Sequence, residues 1–136
     1  MMLVLGVGNE MMGDDAFGPL VIKELEGKTK AKLWSGSNPE NYIGKIKNPI
    51  EKLVILDAAY MKKRPGTVRM IETDKIKERP ISTHQIPLSM LMRELKAEST
   101  YYIVAQPKDV EFDVEPSKEI KRAVKKASKM VIKILR

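Results

Sequence analysis

The sequence predicts an α/β protein with a mainly parallel sheet that helices cover on both faces. Short apolar runs typical of buried strands alternate along the chain with segments whose apolar residues recur every three or four positions. Strands that alternate with helices pair in parallel, because each connecting helix returns the chain to the same edge of the sheet. The length of 136 residues is that of one domain, residues 1–136, and such a domain buries roughly two-thirds of its unfolded surface.

The first half of the chain contains three predicted strands and two predicted helices. The predicted elements are, in order, a strand at 2–5, a helix with its apolar stripe at Phe17, Val21 and Leu25, a strand at 31–34, a short helix at 39–46, and a strand at 53–56 that closes on Asp57. Gly27 ends the first helix, and a glycine-rich loop at 6–9 follows the first strand.

The second half continues the alternation. A turn at 64–66 precedes a predicted strand at 67–71, and Pro87 opens a helix, because proline is favourable at the first helical position. The apolar stripe of that helix consists of Leu88, Leu91, Met92 and Leu95. A further strand is predicted at 101–105 and ends before Gln106 and Pro107.

The net charge of +7 is confined to the C-terminal segment. Residues 117–136 carry eight basic side chains and one acidic side chain, whereas the rest of the chain carries equal numbers of each. Apolar residues recur there at spacings of four and three, at Ile120, Val124, Ala127, Val131 and Ile134. The pattern favours an amphipathic helix that packs on the core and leaves its lysines in solvent. A polyanion-binding face is the alternative, but no nucleic-acid module accompanies the charge, so we expect no nucleic-acid partner.

Composition excludes several classes of protein. The chain has no cysteine, which rules out disulfides, thiolate metal sites, iron–sulfur clusters and a cysteine nucleophile. No run approaches the ~20 apolar residues of a transmembrane helix. The first residues also lack the basic start of a signal peptide. We therefore expect a cytoplasmic protein without a membrane partner. We also expect a monomer.

Candidate functional residues follow the predicted strands, where the ligand crevice of a parallel sheet lies. The loop after the first strand contains the acidic pair Asp14 and Asp15, and the third strand closes on Asp57. The only histidine, His84, lies in a loop before a predicted helix. Carboxylates together with an imidazole suit nickel, iron, zinc or manganese, and the spacing alone does not choose among these metals.

Each of these residues also has a purely structural interpretation. An acidic side chain at a helix start is favourable, and we expect Asp14, rather than Asp15, to cap a helix through the N–H groups that follow it. Asp57 can simply end its strand, and His84 can be a hydrogen-bonded loop residue. A dinucleotide site is disfavoured, because Met11 stands where the third glycine of that fingerprint belongs.

The chain also contains a set of short motifs that together carry a resemblance. They are LGVGN at 5–9, MMGDD at 11–15, GP at 18–19, GSNPEN at 36–41, VILDA at 54–58, PG at 65–66, STHQIPL at 82–88 and QP at 106–107. In their order and approximate spacing they resemble the nickel–iron hydrogenase maturation endopeptidases, of the type that serves formate-hydrogenlyase-like hydrogenases. The first motif alone is weak, but the set covers nearly the whole chain.

The resemblance implies a three-layer α/β/α sandwich around a twisted, mainly parallel sheet of five strands. It also implies a protein substrate, the precursor of the hydrogenase large subunit, from which the family removes a C-terminal extension after nickel insertion. Residue by residue, the catalytic and metal-contacting positions of the family fall on Asp15, Asp57 and His84. The nickel is then carried by the precursor, and the enzyme holds no permanent cofactor.

Two other functional classes stay open at this point. A conventional metallopeptidase would hold its own metal, and the purified protein would carry that metal in stoichiometric amount. A non-catalytic, nickel-dependent binder or chaperone would bind the precursor without cleaving it. The nucleophile is open as well, because serine, threonine, a carboxylate and water all remain when cysteine is absent.

Overall fold

The structure, a computed structural model, describes residues 1–71, 81–82 and 95–136. Its strands are β1 (Met2–Val7), β2 (Lys32–Gly36), β3 (Lys52–Tyr60), β4 (Val68–Ile71), β5 (Ile81–Ser82) and β6 (Ser99–Ala105). Its helices are α1 (Phe17–Leu25), which a 3-10 turn at Gly13–Ala16 precedes, α2 (Pro39–Ile43) and α3 (Lys118–Leu135). The helix predicted to begin at Pro87 lies outside the described residues, except for the buried Leu95.

Five strands form the main sheet in the order β2-β1-β3-β6-β4. The first four are parallel neighbours, and β4 runs antiparallel to β6. The two-residue β5 pairs with the end of β3 in the antiparallel sense. The predicted mainly parallel sheet of five strands is confirmed, and β5 is a short addition to it.

The central strand β3 is longer than the sequence predicted. Seven consecutive residues, Leu53 to Ala59, are buried, as expected of a strand that is covered on both faces. The prediction that Asp57 closes the strand was wrong. Ala58 still pairs with Ala105 of β6, and residues 59–60 pair with β5. Asp57 therefore lies within the strand, and the residues before and after it in sequence are also paired with neighbouring strands.

Alternate residues of the strands face two separate apolar cores. Val4 and Val54 belong to a core that the sheet shares with α1 and α3. Leu3 and Leu53 belong to the opposite core, which includes Ile43 of α2. Helices therefore lie on both faces of the sheet, which confirms the α/β/α sandwich.

The terminal helix α3 is amphipathic, as predicted. Ser117 caps it, because its hydroxyl accepts a hydrogen bond from the backbone N–H of Ile120 at 3.1 Å. Ile120 and Val131 are fully buried. The predicted stripe differs at its end, where Leu135 is buried and Ile134 is only half-buried. Residues four apart share a face of a straight helix, so the stripe continues from Val131 to Leu135.

The short helix α2 ends three residues before the predicted position. Lys45 and Ile46 donate their N–H groups to the carbonyls of Tyr42 and Ile43, at 3.0 and 3.1 Å, in tight turns of the 3-10 type. The ring of Tyr42 stacks on Trp34 of β2 with 5.6 Å between centroids. Burial raises the pKa of Tyr42.

Candidate active site

The carboxyl ends of β1 and β3 lie side by side at one edge of the sheet. Their parallel pairing ends at Gly6 and Leu56, so the loop after β1 leaves the sheet beside Asp57. The 3-10 turn that contains Asp15 contacts β3 directly. Two of the three predicted site residues therefore belong to neighbouring elements, at the edge where sheets of this type bind their ligands.

Glycines allow this loop to approach the sheet closely. A Cβ atom on Gly18, near the start of α1, would lie 2.6 Å from the carbonyl oxygen of Val7. A Cβ atom on Gly8, where φ is +156°, would overlap the carbonyl oxygen of Asp15. Because glycine has no side chain, the turn with Asp15 and the start of α1 can rest against the end of β1.

The side chain of Asp15 is held in place by the loop that follows β1. Asp15 is only 5% exposed. Its Oδ2 accepts a hydrogen bond from the backbone N–H of Asn9 at 2.9 Å. The side-chain oxygen of Asn9 in turn accepts from the N–H of Met11 at 2.9 Å, which closes the loop in an Asx turn. Asn9 therefore both shapes the loop and orients the carboxylate.

The carboxylate of Asp57 is also nearly buried, with 5% of the residue exposed. The hydroxyl of Tyr102 on β6 donates to its Oδ2 at 3.5 Å. Tyr102 lies opposite Ile55 where β6 pairs with β3. Asp57 is two residues further along β3 and therefore projects from the same face of the sheet as Ile55 and Tyr102. The sequence did not indicate this tyrosine, because only the register of β3 with β6 brings the two residues together.

Asp14 does not cap its own helix, and the prediction that it does was wrong. Asp14 is 1% exposed, and its Oδ1 accepts from the backbone N–H of Ser117 at 2.7 Å. Its Oδ2 accepts from the N–H of Lys108 at 2.7 Å and from the hydroxyl of Ser117 at 2.8 Å. Neither the 3-10 turn nor α1 has a side-chain cap. The carboxylate instead lies at the start of α3, where the helix dipole favours a negative charge.

Local sequence indicates the capping role of Ser117 but not its contact with Asp14. A serine directly before an apolar helical stripe, as at Ser117, is a typical N-cap. No local pattern connects Ser117 with Asp14, which stands 103 residues earlier.

His84, the third predicted site residue, lies outside the described residues. The closest described residues before it in sequence are Ile81 and Ser82, which pair with Tyr60 and Ala59 at the end of β3. Within residues 1–71, 81–82 and 95–136, no group of three or more histidine, cysteine, aspartate or glutamate side chains could hold a metal ion. The convergence of all three predicted residues therefore stays a prediction.

The described part of the site offers carboxylate chemistry. Asp15 and Asp57 supply oxygen atoms that can bind a cation or accept a proton. Both residues are nearly buried, and water screens a charge less there than at an open surface. An electrostatic interaction with either side chain is therefore stronger than it would be at an open surface.

Known proteins similar to this chain match it along most of its length. The model of a family described as hydrogenase maturation protease matches residues 20–134. The chain is 37% identical to the Hydrogenase 3 maturation protease of Escherichia coli strain K12 over 129 residues, which is 90% of this chain and 83% of that protein. The solution structure of the endopeptidase HycI from Escherichia coli matches with a TM-score of 0.83 at 33% identity, over 98% of this chain and 90% of that one. The maturation protease HybD from Thermococcus kodakarensis matches with a TM-score of 0.85 at 28% identity, over 100% of both chains.

Fold, acidic edge and relatives together define a peptidase built on an α/β/α sandwich. The chain belongs to the hydrogenase maturation protease family. Membership of this family favours an enzyme over the non-catalytic binder that the sequence left open. No helix in the described part of the chain is long and apolar enough to cross a membrane.

Proposed function

We propose that this protein is an endopeptidase that removes the C-terminal extension of a hydrogenase large-subunit precursor after nickel insertion. The observation that carries the proposal is the pair of nearly buried carboxylates, Asp15 and Asp57, on neighbouring elements at the carboxyl edge of the sheet. The name of the Escherichia coli relative, a hydrogenase 3 maturation protease, supports a hydrogenase protein as the substrate.

In this proposal Asp15, Asp57 and His84 contact the nickel that the precursor carries. Carboxylate oxygen and imidazole nitrogen are suitable ligands for divalent nickel. Ser82 pairs with Ala59, two residues beyond Asp57 on β3, and His84 follows Ser82 by two residues. Two residues of extended chain span about 7 Å, so the chain length permits the imidazole to reach a metal ion that Asp57 also contacts.

The nickel of the substrate then acts as the mark of a precursor that is ready for cleavage. A precursor without nickel lacks the cation that the two carboxylates contact in this proposal, so it binds less well. A nickel ion held by these side chains is also a Lewis acid, which can polarise a scissile carbonyl or a water molecule. The enzyme needs no permanent cofactor, because the substrate supplies the metal.

We propose further that the enzyme works as a cytoplasmic monomer. Sedimentation of the purified protein at micromolar concentration should give a mass near 15.4 kDa. A dimer at that concentration would contradict this part of the proposal.

The decisive experiment compares two forms of the precursor. Purified protein is incubated with nickel-loaded and with nickel-free precursor, and the product masses are measured. Loss of the extension from the nickel-loaded form alone supports the proposal. An intact mass in both samples contradicts it. Cleavage of both forms, together with stoichiometric metal in the purified enzyme, would indicate a conventional metallopeptidase.

Substitutions test the residues that we assign to the site. Asp57→Asn keeps the size of the side chain and removes its charge, and His84→Ala removes the imidazole. Each should reduce the rate of cleavage by about 100-fold or more. Loss of a residue that only supports a metal ligand already lowers metal affinity or activity by about 10- to 100-fold, and loss of the ligand itself should have at least as large an effect. Glu26→Gln is the matched control, because it also removes a carboxylate charge while keeping the size of the side chain, at an exposed residue beyond the far end of α1. Wild-type activity in Asp57→Asn or His84→Ala would remove that residue from the mechanism.

Inhibitors of serine and cysteine nucleophiles provide a separate test. The proposal requires neither type of nucleophile, and the chain has no cysteine. Such reagents should leave cleavage of the nickel-loaded precursor unchanged. Complete inhibition by a serine-directed reagent would show that a serine makes the attack.

A further inference from the structure

A third buried carboxylate lies next to the candidate active site and has no role in the proposed contacts with nickel. We propose that Asp14 is a positioning residue, which anchors the turn that contains Asp15 to the segment before α3. This inference rests on the proposed function only in taking Asp15 as a residue that acts on the substrate. The geometry of the anchor is independent of that function.

The side chain of Asp14 binds a single stretch of chain, residues 108–117, by three short hydrogen bonds. Its two carboxylate oxygens accept from the backbone N–H groups of Lys108 and Ser117, both at 2.7 Å, and from the hydroxyl of Ser117 at 2.8 Å. Hydrogen bonds to an ionised acceptor are roughly twice as strong as those between neutral groups. The three bonds together therefore form a strong contact.

Backbone hydrogen bonds join the same two stretches of chain. The N–H of Asp14 itself donates to the carbonyl of Asp109 at 2.6 Å. The N–H of Gly13 donates to the carbonyl of Val114 at 2.9 Å. The N–H of Asp113 donates to the carbonyl of Met11 at 2.7 Å. The turn therefore depends for its position on residues 108–117 as well as on the sheet.

Only a carboxylate satisfies the three donors at this position. All three donors point at two oxygens in a residue that is 1% exposed, so water has little access to the position of a missing acceptor. An asparagine amide has one oxygen, and in either orientation its NH2 group would face an N–H or hydroxyl donor. Leaving a buried donor without an acceptor is unfavourable. Asp14→Asn should therefore loosen the anchor although it keeps the shape of the side chain.

The anchor acts on Asp15 because the two residues are consecutive in one 3-10 turn. A shift of the turn moves the Asp15 carboxylate relative to Asp57 on β3. A misplacement of about 1 Å can cost on the order of 100-fold in the rate of a reaction. A merely structural anchor for α3 would instead lower stability and leave the rate per folded molecule unchanged.

The first test compares Asp14→Asn with Val131→Ala in the full chain. Val131 is fully buried in α3, and fourteen residues of helix place it about 21 Å from Ser117. Both variants should lower the melting temperature, and both are assayed well below it. With nickel-loaded precursor, Asp14→Asn should lower kcat at least tenfold, and KM should rise as well, because the displaced Asp15 also contacts the nickel in the proposed function. Val131→Ala should keep kcat within twofold of the wild type.

The second test does not depend on cleavage. The amide of Asn9 donates to Asp15, so its hydrogen-exchange rate, measured by NMR, reports whether that carboxylate stays in place. Asp14→Asn should raise this rate at least tenfold over the rate in Val131→Ala. Ser117→Ala removes one of the three donors and should give an intermediate rate.

The outcomes separate this inference from the proposed function. If Asp14→Asn matches Val131→Ala in both kcat and Asn9 exchange, Asp14 merely stabilises α3 and the inference is wrong. If the wild type does not cleave the precursor but Asn9 exchange behaves as expected, the anchor stands and the proposed function fails.

Discussion

Replacing Gly18 by alanine should destabilise the protein, although alanine is the better helix former. Gly18 is the second residue of α1, and a Cβ atom there would lie 2.6 Å from the oxygen and 2.7 Å from the nitrogen of Val7. The shorter distance is about 0.8 Å less than the 3.4 Å at which ordinary van der Waals contact begins. The contacted atoms are backbone atoms of β1, a strand that is paired on both sides, so no side chain can rotate away.

Two effects of opposite sign decide the magnitude. Alanine gains at most about 1 kcal/mol over glycine inside a helix, and less in the first turn. Forcing a methyl group into a closely packed contact costs about 1–3 kcal/mol, and the upper end applies where only backbone can move. We expect a net loss of about 2 kcal/mol in the free energy of unfolding. For a domain of this size that lowers Tm by roughly 6–10 °C.

Gly44→Ala is the matched control for this substitution. Nothing lies within 4 Å of a Cβ atom at Gly44, and its φ of −62° suits any residue. This variant should be neutral or more stable by up to about 1 kcal/mol. Urea denaturation measures both variants. If Gly18→Ala and Gly44→Ala have equal free energies of unfolding, the packing argument for the start of α1 is refuted. Cleavage by Gly18→Ala should also fall, because the displaced helix start carries the turn with Asp15.

Three further variants test other parts of the structure. The hydrogen bond from Lys125, at 2.7 Å, lowers the pKa of Glu24, so this stabilisation is present at pH 7 and is lost as the pH falls below about 4.3. The Tm difference between wild type and Glu24→Gln should therefore shrink as the pH falls below that value, and a constant difference would contradict this expectation. Tyr102→Phe should keep its Tm within a few degrees but cleave more slowly, and an unchanged kcat would deny Tyr102 a part in orienting Asp57. Deleting α3 should abolish cooperative melting, because each buried aliphatic side chain contributes about 1.5–3 kcal/mol to the stability of the fold. Replacing the exposed lysines of α3 with glutamine should shift Tm little. A cooperative melt of the truncated chain would refute the packing role of the helix.

Spacing along the chain was sufficient to predict most of the described elements. The apolar run in β1, the helical stripe from Phe17 to Leu25 and the stripe of α3 lie where the sequence placed them, with ends displaced by a few residues. Such patterns are local, because a side chain's face on a strand or helix depends on its position relative to near neighbours. The same patterns located Asp15 and Asp57 at the carboxyl edge of the sheet.

The ends of elements depend on partners that lie far away in sequence. β3 continues through Asp57 to Tyr60 because β5 and β6 supply hydrogen-bond partners there. The paired backbone holds Asp57 more rigidly than a loop would. A strand continues for as long as a neighbour is present, and the sequence of the strand alone does not contain that information.

The sequence by itself determined that two acids follow the first strand, and only the tertiary structure decided how they divide their roles. Asp15 accepts from Asn9 in its own loop, a contact that short-range geometry allows. Asp14 binds Lys108 and Ser117, and no property of its neighbours in the chain indicates this. A buried carboxylate requires donors, and the fold supplies them from whichever segment it brings within 3 Å. For Asp14 that segment is the start of α3, at the opposite end of the sequence.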